Sequence, residues 1–391
     1  MSKRFIVRVL LATCLALLTV LSLAPGVFAQ TSSNGQPLSE KNTPSWLQWH
    51  IVASSNAGPQ NELTAIAALS GKDAWTVGDY HAPTPSLSKT LTEHWNGSKW
   101  KVVSSPNVGV ADHLYGVAMA ASDDVWAVGN SFNSHDVGFT LILHWNGISW
   151  RVAKSPSTGA PSGTSLYAVS AIASNDVWAV GQVSKQGIFQ TLTEHWNGKN
   201  WSTITSPNLG TGNNTLYGIS ALTSDDVWAV GVSDAGSLAE HWNGKTWQLI
   251  PSPVFGGAAN ILLAVSAIAT NDVWAVGNYN GTALTEHWNG KNWSIIPSPN
   301  VPNKFNFLLG VVAVSSQNVW AVGYSYNEST PNRTLILHWN GKHWRVVPSP
   351  NASLDWSTLY AVIAIPGGPA TAVGYYFDTS DTTKTLVEAS R

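Results

Sequence analysis

The chain has 391 residues, 44% hydrophobic but only 11% charged, against roughly 25% charged in an average soluble domain. A formal charge of −2 without any basic run excludes the electrostatic footprint of a nucleic-acid binder. A single cysteine excludes internal disulfides, and 21 tryptophans are the compositional outlier.

The first residues have the layout of a secretory signal peptide. Lys3, Arg4 and Arg8 precede an apolar run from Val9 to Leu23, and Val27-Phe28-Ala29 offers a cleavage site. Residues 1–29 are therefore expected to be removed and the mature protein secreted. Retention as a membrane anchor is the alternative, because the run approaches the roughly 20 residues that span a bilayer. Leu11-Ala12-Thr13-Cys14 offers another, a lipidated cysteine. Without the signal the chain has 17 basic and 22 acidic residues, a charge of −5, and no cysteine. A thiol nucleophile and a thiolate metal site are then excluded. Residues 30–45, QTSSNGQPLSEKNTPS, are polar and aperiodic, the composition of a disordered linker.

Beyond the linker the chain repeats itself. DDVWAVG at 123–129 returns as NDVWAVG at 175–181, DDVWAVG at 225–231 and NDVWAVG at 271–277. KDAWTVG at 72–78, QNVWAVG at 317–323 and PATAVG at 369–374 are weaker copies. The spacing is about 50 residues, a period of propeller-like arrays. Each unit holds four short β-type runs. LYGVAMA (114–120) is rich in small and branched residues, and DVWAVG follows. In TLTEHW (90–95), Leu91, Glu93 and Trp95 alternate with Thr92 and His94, the period of a strand. Asn-Gly then signals a hairpin into WKVVSSPN (100–107), since both residues tolerate positive φ. Pro106, Pro156, Pro207, Pro253, Pro299 and Pro350 end the fourth runs. The paired tryptophans of EHWNGKNW (194–201) are expected to pack between units.

Four-stranded units in series without helical periodicity predict an all-β fold, a seven-bladed β-propeller over 46–391. The last unit (359–390) stops after its third strand. WHIVASSN (49–56) aligns with WKVVSSPN, Trp49 on Trp100 and Asn56 on Asn107. The N-terminal strand is therefore expected to complete the last blade and close the ring, removing an open edge.

The repeats resemble kelch-type blades across essentially the whole mature chain. Val125-Trp126-Ala127-Val128-Gly129, Trp145 and Trp150 take that family's slots, although its double glycine is here Gly129-Asn130. Gly97 to Trp100 is also similar to an Asp-box turn, with Trp95 where that motif has Asp. The resemblance implies a propeller and leaves function open, because such folds host enzymes and adaptors alike.

Candidate chemistry is sparse. His94, His144, His195, His241, His287 and His338 occupy one slot in separate blades, so they cannot share an ion and are expected to be structural. Glu93, Glu194, Glu240, Glu286 and Glu388 repeat likewise, with Leu143 and Leu337 in two blades. A carboxylate that leucine replaces is expected to be a partnered structural group. Asp124, Asp176, Asp226 and Asp272 are expected to bond to turn backbone. Galactose-oxidase-like copper chemistry lacks its cysteine, and a sialidase-like arginine triad lacks its arginines. No nucleophile elbow, phosphate loop or His-Glu-x-x-His run is present. No catalytic residue, metal or cofactor is assigned.

One set of connections is short and uniform; the other, linking second to third and fourth to first strands, is individually written. Binding residues tend to sit on loops held by a rigid frame. The variable loop face is expected to bind ligand through Tyr80, His81, Phe132, His135, Tyr279, Tyr324, Tyr326, Tyr375, Tyr376 and Asp378. Tyr115, Tyr167, Tyr217 and Tyr360, at the same end of the innermost strands, are expected to pack between blades. The expected protein is a secreted monomer that binds an extracellular glycan or protein without catalysis, and in mature form contacts neither membrane nor nucleic acid. A glycan-processing hydrolase or lyase at the channel mouth, and a structural assembly protein, are the alternatives.

Overall fold

The computed structural model describes residues 47–82, 87–156, 163–253 and 260–391; the expected signal peptide and linker lie outside the described residues. The described chain forms 28 strands in seven antiparallel sheets of four, without an α-helix. Blades 1 to 6 span 60–102, 111–153, 164–204, 214–249, 260–295 and 305–347. Blade 7 takes three strands from 357–390 and its fourth from Trp49–Ile51.

Ring closure follows the expected register. Trp49, His50 and Ile51 pair with Ser390, Ala389 and Glu388. Asn56 Oδ1 accepts the Thr385 amide at 3.1 Å, as Asn107 accepts the Thr90 amide of its own blade at 2.9 Å. The first and last segments thus make one blade by the same contacts that finish the others.

Burial explains the composition of each run. The second strand lies between neighbouring blades on both faces, so VWAV is buried throughout and carries no alternation. The fourth strand is outermost: Trp100 is buried while Lys101 and Val102 are exposed. Tryptophans fill the blade interfaces. Trp126 lies 4.1 Å from its own His144 ring and meets Trp196 and Trp201 of blade 3 at 5.0 and 5.3 Å. The pattern repeats from Trp75 to Trp274, and Trp320 meets Trp49 at 5.3 Å across the closing blade. A buried indole removes something like 200 Å2 from water, about 5 kcal/mol at 25 cal/mol/Å2 before the cost of ordering it.

Two polar contacts repeat alongside them. Each repeated histidine bonds within its own blade, five of the six to the aspartate at the start of the second strand and His338 to Asn318 in the same slot. His94–Asp73, His144–Asp124, His195–Asp176, His241–Asp226 and His287–Asp272 lie at 2.7–2.8 Å. The expected bond from Asp124 and its equivalents to turn backbone is corrected accordingly: pairing places the two side chains side by side. The repeated glutamates reach across to the preceding blade. Ser155, Ser252 and Ser349 hydroxyls donate to Glu194, Glu286 and Glu388 at 2.8–2.9 Å.

The Asn-Gly turns also differ in detail from the expected hairpin. Only the glycine has positive φ, +90° at Gly97. Asn96 Oδ1 instead accepts the amides of Ser98 and Lys99, so the asparagine acts through its side chain.

Candidate functional site

Every innermost strand carries a β-bulge near the variable face. In blade 2 the register steps from Leu114–Gly129 to Gly116–Val128 and leaves Tyr115 unpaired with the second strand. The same step skips Thr64, Tyr167, Tyr217, Leu263, Leu309 and Tyr360. A bulge breaks alternation and re-aims one side chain. These seven residues line the central channel around a cavity of about 180 Å3.

The bulge accounts for the glycine that ends DVWAVG. A Cβ on Gly129 would lie 1.9 Å from the His113 carbonyl oxygen, and the six equivalent glycines are closed at 1.9–2.0 Å. The expectation that Tyr115, Tyr167, Tyr217 and Tyr360 pack between blades is thereby extended, since they also line the channel. Tyr115, Tyr167 and Tyr217 do touch in sequence, at 5.5 and 5.2 Å, but they form an aromatic arc on the channel wall. Leu263 and Leu309 make the apolar part of the ring.

Just outside this ring runs a belt of fourteen positions, two per blade: the residue before the inner-strand leucine and the residue after the glycine. The two face each other across strands, as Glu62 and Asp79 do, or His113 and Asn130. Neighbouring blades meet through them. His113 Nδ1 lies 3.1 Å from Asp79 Oδ1, Asn130 Nδ2 donates to Ser165 at 2.9 Å, and Thr215 donates to Gln182 at 2.7 Å. Asn278 donates to the Asn306 carbonyl at 2.8 Å. Elsewhere the belt holds Val232, Ile261, Phe307, Tyr324 and Tyr375, with Thr358 opposite Tyr375. All its ionised-type side chains, Glu62, Asp79 and His113, fall at the junction of blades 1 and 2.

Their protonation is set by this crowding. Burial pulls the His113 imidazole down, but the charge and hydrogen bond of Asp79, with Asp112 beyond, carry it above its ordinary value. Burial, reinforced by Asp79, pushes the Glu62 carboxyl up to about 8. Burial also raises the Tyr375 phenol, and the nearby Glu62 charge adds to it. Among the described residues no group of three His, Cys, Asp or Glu side chains could hold a metal ion.

No protein-family model matches the chain, and no curated protein matches it. Solved structures do. A structure of YCF48 bound to D1 peptide is similar with a TM-score of 0.57 at 13% identity, covering 88% of this chain and 96% of that one. A structure of U3-55K is similar with a TM-score of 0.58 at 9% identity, covering 89% and 100%. The likeness is one of fold.

The residues expected to bind ligand are brought to the same end but mostly not onto loops. Tyr80, His81, Phe132, Tyr279, Tyr324, Tyr326, Tyr375 and Tyr376 all lie in second strands, which continue beyond the glycine. Tight turns such as Asn280-Gly281, both at positive φ, let the hairpins extend through stretches whose composition reads as loop. Tyr324 and Tyr375 are buried within the belt. Tyr326 is half-buried and stacks on Phe307 at 6.0 Å. Only His135 and Asp378 lie in connections, and Asp378 caps its own turn through the amides of Ser380 and Thr382. Glu62, Asp79 and His113 were not among the expected residues. A partial signal was available: aligned on the leucine and the glycine, these two columns change chemical class from blade to blade.

Proposed function

We propose that the protein is a secreted binding propeller that holds a protein segment or glycan at the channel mouth on its variable face. The single observation that carries this reading is the asymmetry of the belt and ring. A scaffold repeated almost letter for letter elsewhere places a charged, tyrosine-rich sector and an apolar sector around one opening. Aromatic rings beside charged groups suit recognition surfaces. The signal-peptide layout supports secretion, and the VWAVG and downstream tryptophan pattern supports kelch-type kinship. The D1 peptide bound by YCF48, a protein of similar fold, makes a peptide ligand the favoured class.

Peptide and glycan arrays probed with the purified protein test this. Tyr326→Ala combined with Tyr376→Ala, both half-buried at the variable end, should weaken binding. Lys245→Ala, exposed on the opposite face, should not. Equal loss in both variants, or no binding to either array, would overturn the reading.

A second reading, a glycan-processing hydrolase or lyase, is favoured by one observation. Glu62, with its carboxyl near 8, stands opposite Asp79 at the channel mouth, a proton donor beside a carboxylate. Product release from a polysaccharide panel, abolished by Glu62→Gln, would support it.

A further inference from the structure

We propose that Glu62 anchors a subsite for a primary ammonium group, presented as the lysine side chain of a protein segment docking on the channel mouth. The inference rests on the binding reading above and narrows it.

The polar groups of the belt are already committed across blade interfaces: Asp79 to His113, Asn130 to Ser165, Gln182 to Thr215, and Asn278 to a backbone carbonyl. A sugar, which needs several free donors and acceptors, finds few here. Glu62 is the exception. Among the described residues its carboxyl has no hydrogen bond and no ion pair, and the residue is half-buried rather than sealed in the core. It stands directly opposite Asp79, and like charges so placed repel. His113 compensates only Asp79. One incoming monocation would pair with Glu62 as His113 pairs with Asp79. Tyr375 of blade 7 is buried beside Glu62, and Tyr360 packs against it at 5.9 Å, so the carboxyl has aromatic rather than cationic neighbours on that side.

Proton linkage follows. The titratable groups acting with Glu62 are Asp79 on the neighbouring strand and Tyr375 from blade 7; His113 from blade 2 reaches Asp79, with Asp112 beside it. With the site empty the carboxyl holds its proton at neutral pH, and an ammonium favours the carboxylate. Binding should therefore release about one proton near pH 7 and tighten as pH rises from 6 to 8.

The test uses an array of lysine-containing 12-residue peptides with their Nε-acetylated twins, and glucosamine oligomers. The tightest peptide is titrated calorimetrically in two buffers of different ionisation heat. Acetylation of the lysine and Glu62→Gln should each weaken binding about tenfold or more, and the variant should lose the buffer-dependent heat. Glu62→Thr is the second variant, since Thr215 and Thr358 fill the same column in blades 4 and 7. Binding that survives acetylation and both substitutions would overturn the subsite while leaving the binding reading standing. Preference for the glucosamine oligomers would overturn the lysine assignment. Failure of every peptide and glycan to bind would overturn both.

Discussion

Glu240 sits in the core between blades 3 and 4 with no exposed surface. Burial pushes its carboxyl up to about 8 from an ordinary 4.5, with the nearby Ser206 hydroxyl working the other way although it donates to Thr191. Between those values the folded protein holds a proton that the unfolded chain has lost. Folding therefore takes up a proton, and stability falls as pH rises through the window, fully expressed only below 4.5. Each pH unit costs about 1.4 kcal/mol per carboxyl. From pH 5 to pH 8 that is on the order of 4 kcal/mol for this residue alone. With an unfolding entropy of about 2 cal/mol/K per residue, a domain this size loses roughly 5 °C of Tm. Glu240→Gln keeps the shape and removes the charge. Thermal scans at fixed rate from pH 5 to 8.5 should show the variant matching the parent at the acidic end and exceeding it by about 5 °C at the alkaline end. Glu93, Glu286 and Glu388, each raised by burial to about 7, add the same slope to both proteins at lower pH. Parallel curves, whatever their offset, would refute the assignment of a buried titrating group.

Other expectations follow from the same geometry. Removal of residues 47–56 should lower the melting temperature or cause aggregation, because it strips the fourth strand from blade 7; unchanged melting would show that closure contributes nothing. Gly129→Ala should cost several kcal/mol or prevent folding, since its Cβ meets backbone at 1.9 Å, whereas Gly71→Ala, with nothing within 4 Å, should be neutral by chemical denaturation. Trp274→Ala should destabilise by about 3–5 kcal/mol, measured the same way, as it empties the contact with Trp339 and Trp344. His338 is lowered to about 4 by burial and by the Arg345 charge, and its partner is Asn318 rather than aspartate. Asn318→Asp should raise that titration by about 1–3 units in an NMR pH series, and an unmoved resonance would show that the pairing has no electrostatic content.

Blade number, strand count and closure were legible in the residues because each is written several times. Trp126 and its equivalents mark one place in a repeating unit, and WHIVASSN matches WKVVSSPN closely enough to reveal a strand displaced to the other end of the chain. Errors in one copy are corrected by the next. The channel mouth was not legible in this way. Its lining depends on a bulge that turns Tyr115 out of the alternation, a backbone event that no side-chain pattern announces. Its charged cluster depends on Asp79 and His113, which lie in different blades and meet only once blades 1 and 2 pack together. The stretch from Tyr324 to Tyr326 reads as polar, aromatic loop but continues as strand, because paired hairpin backbone outweighs local composition. Repetition encodes the frame through short-range rules of turn and strand. The site arises where the repeats differ, from neighbours that only tertiary packing brings within reach.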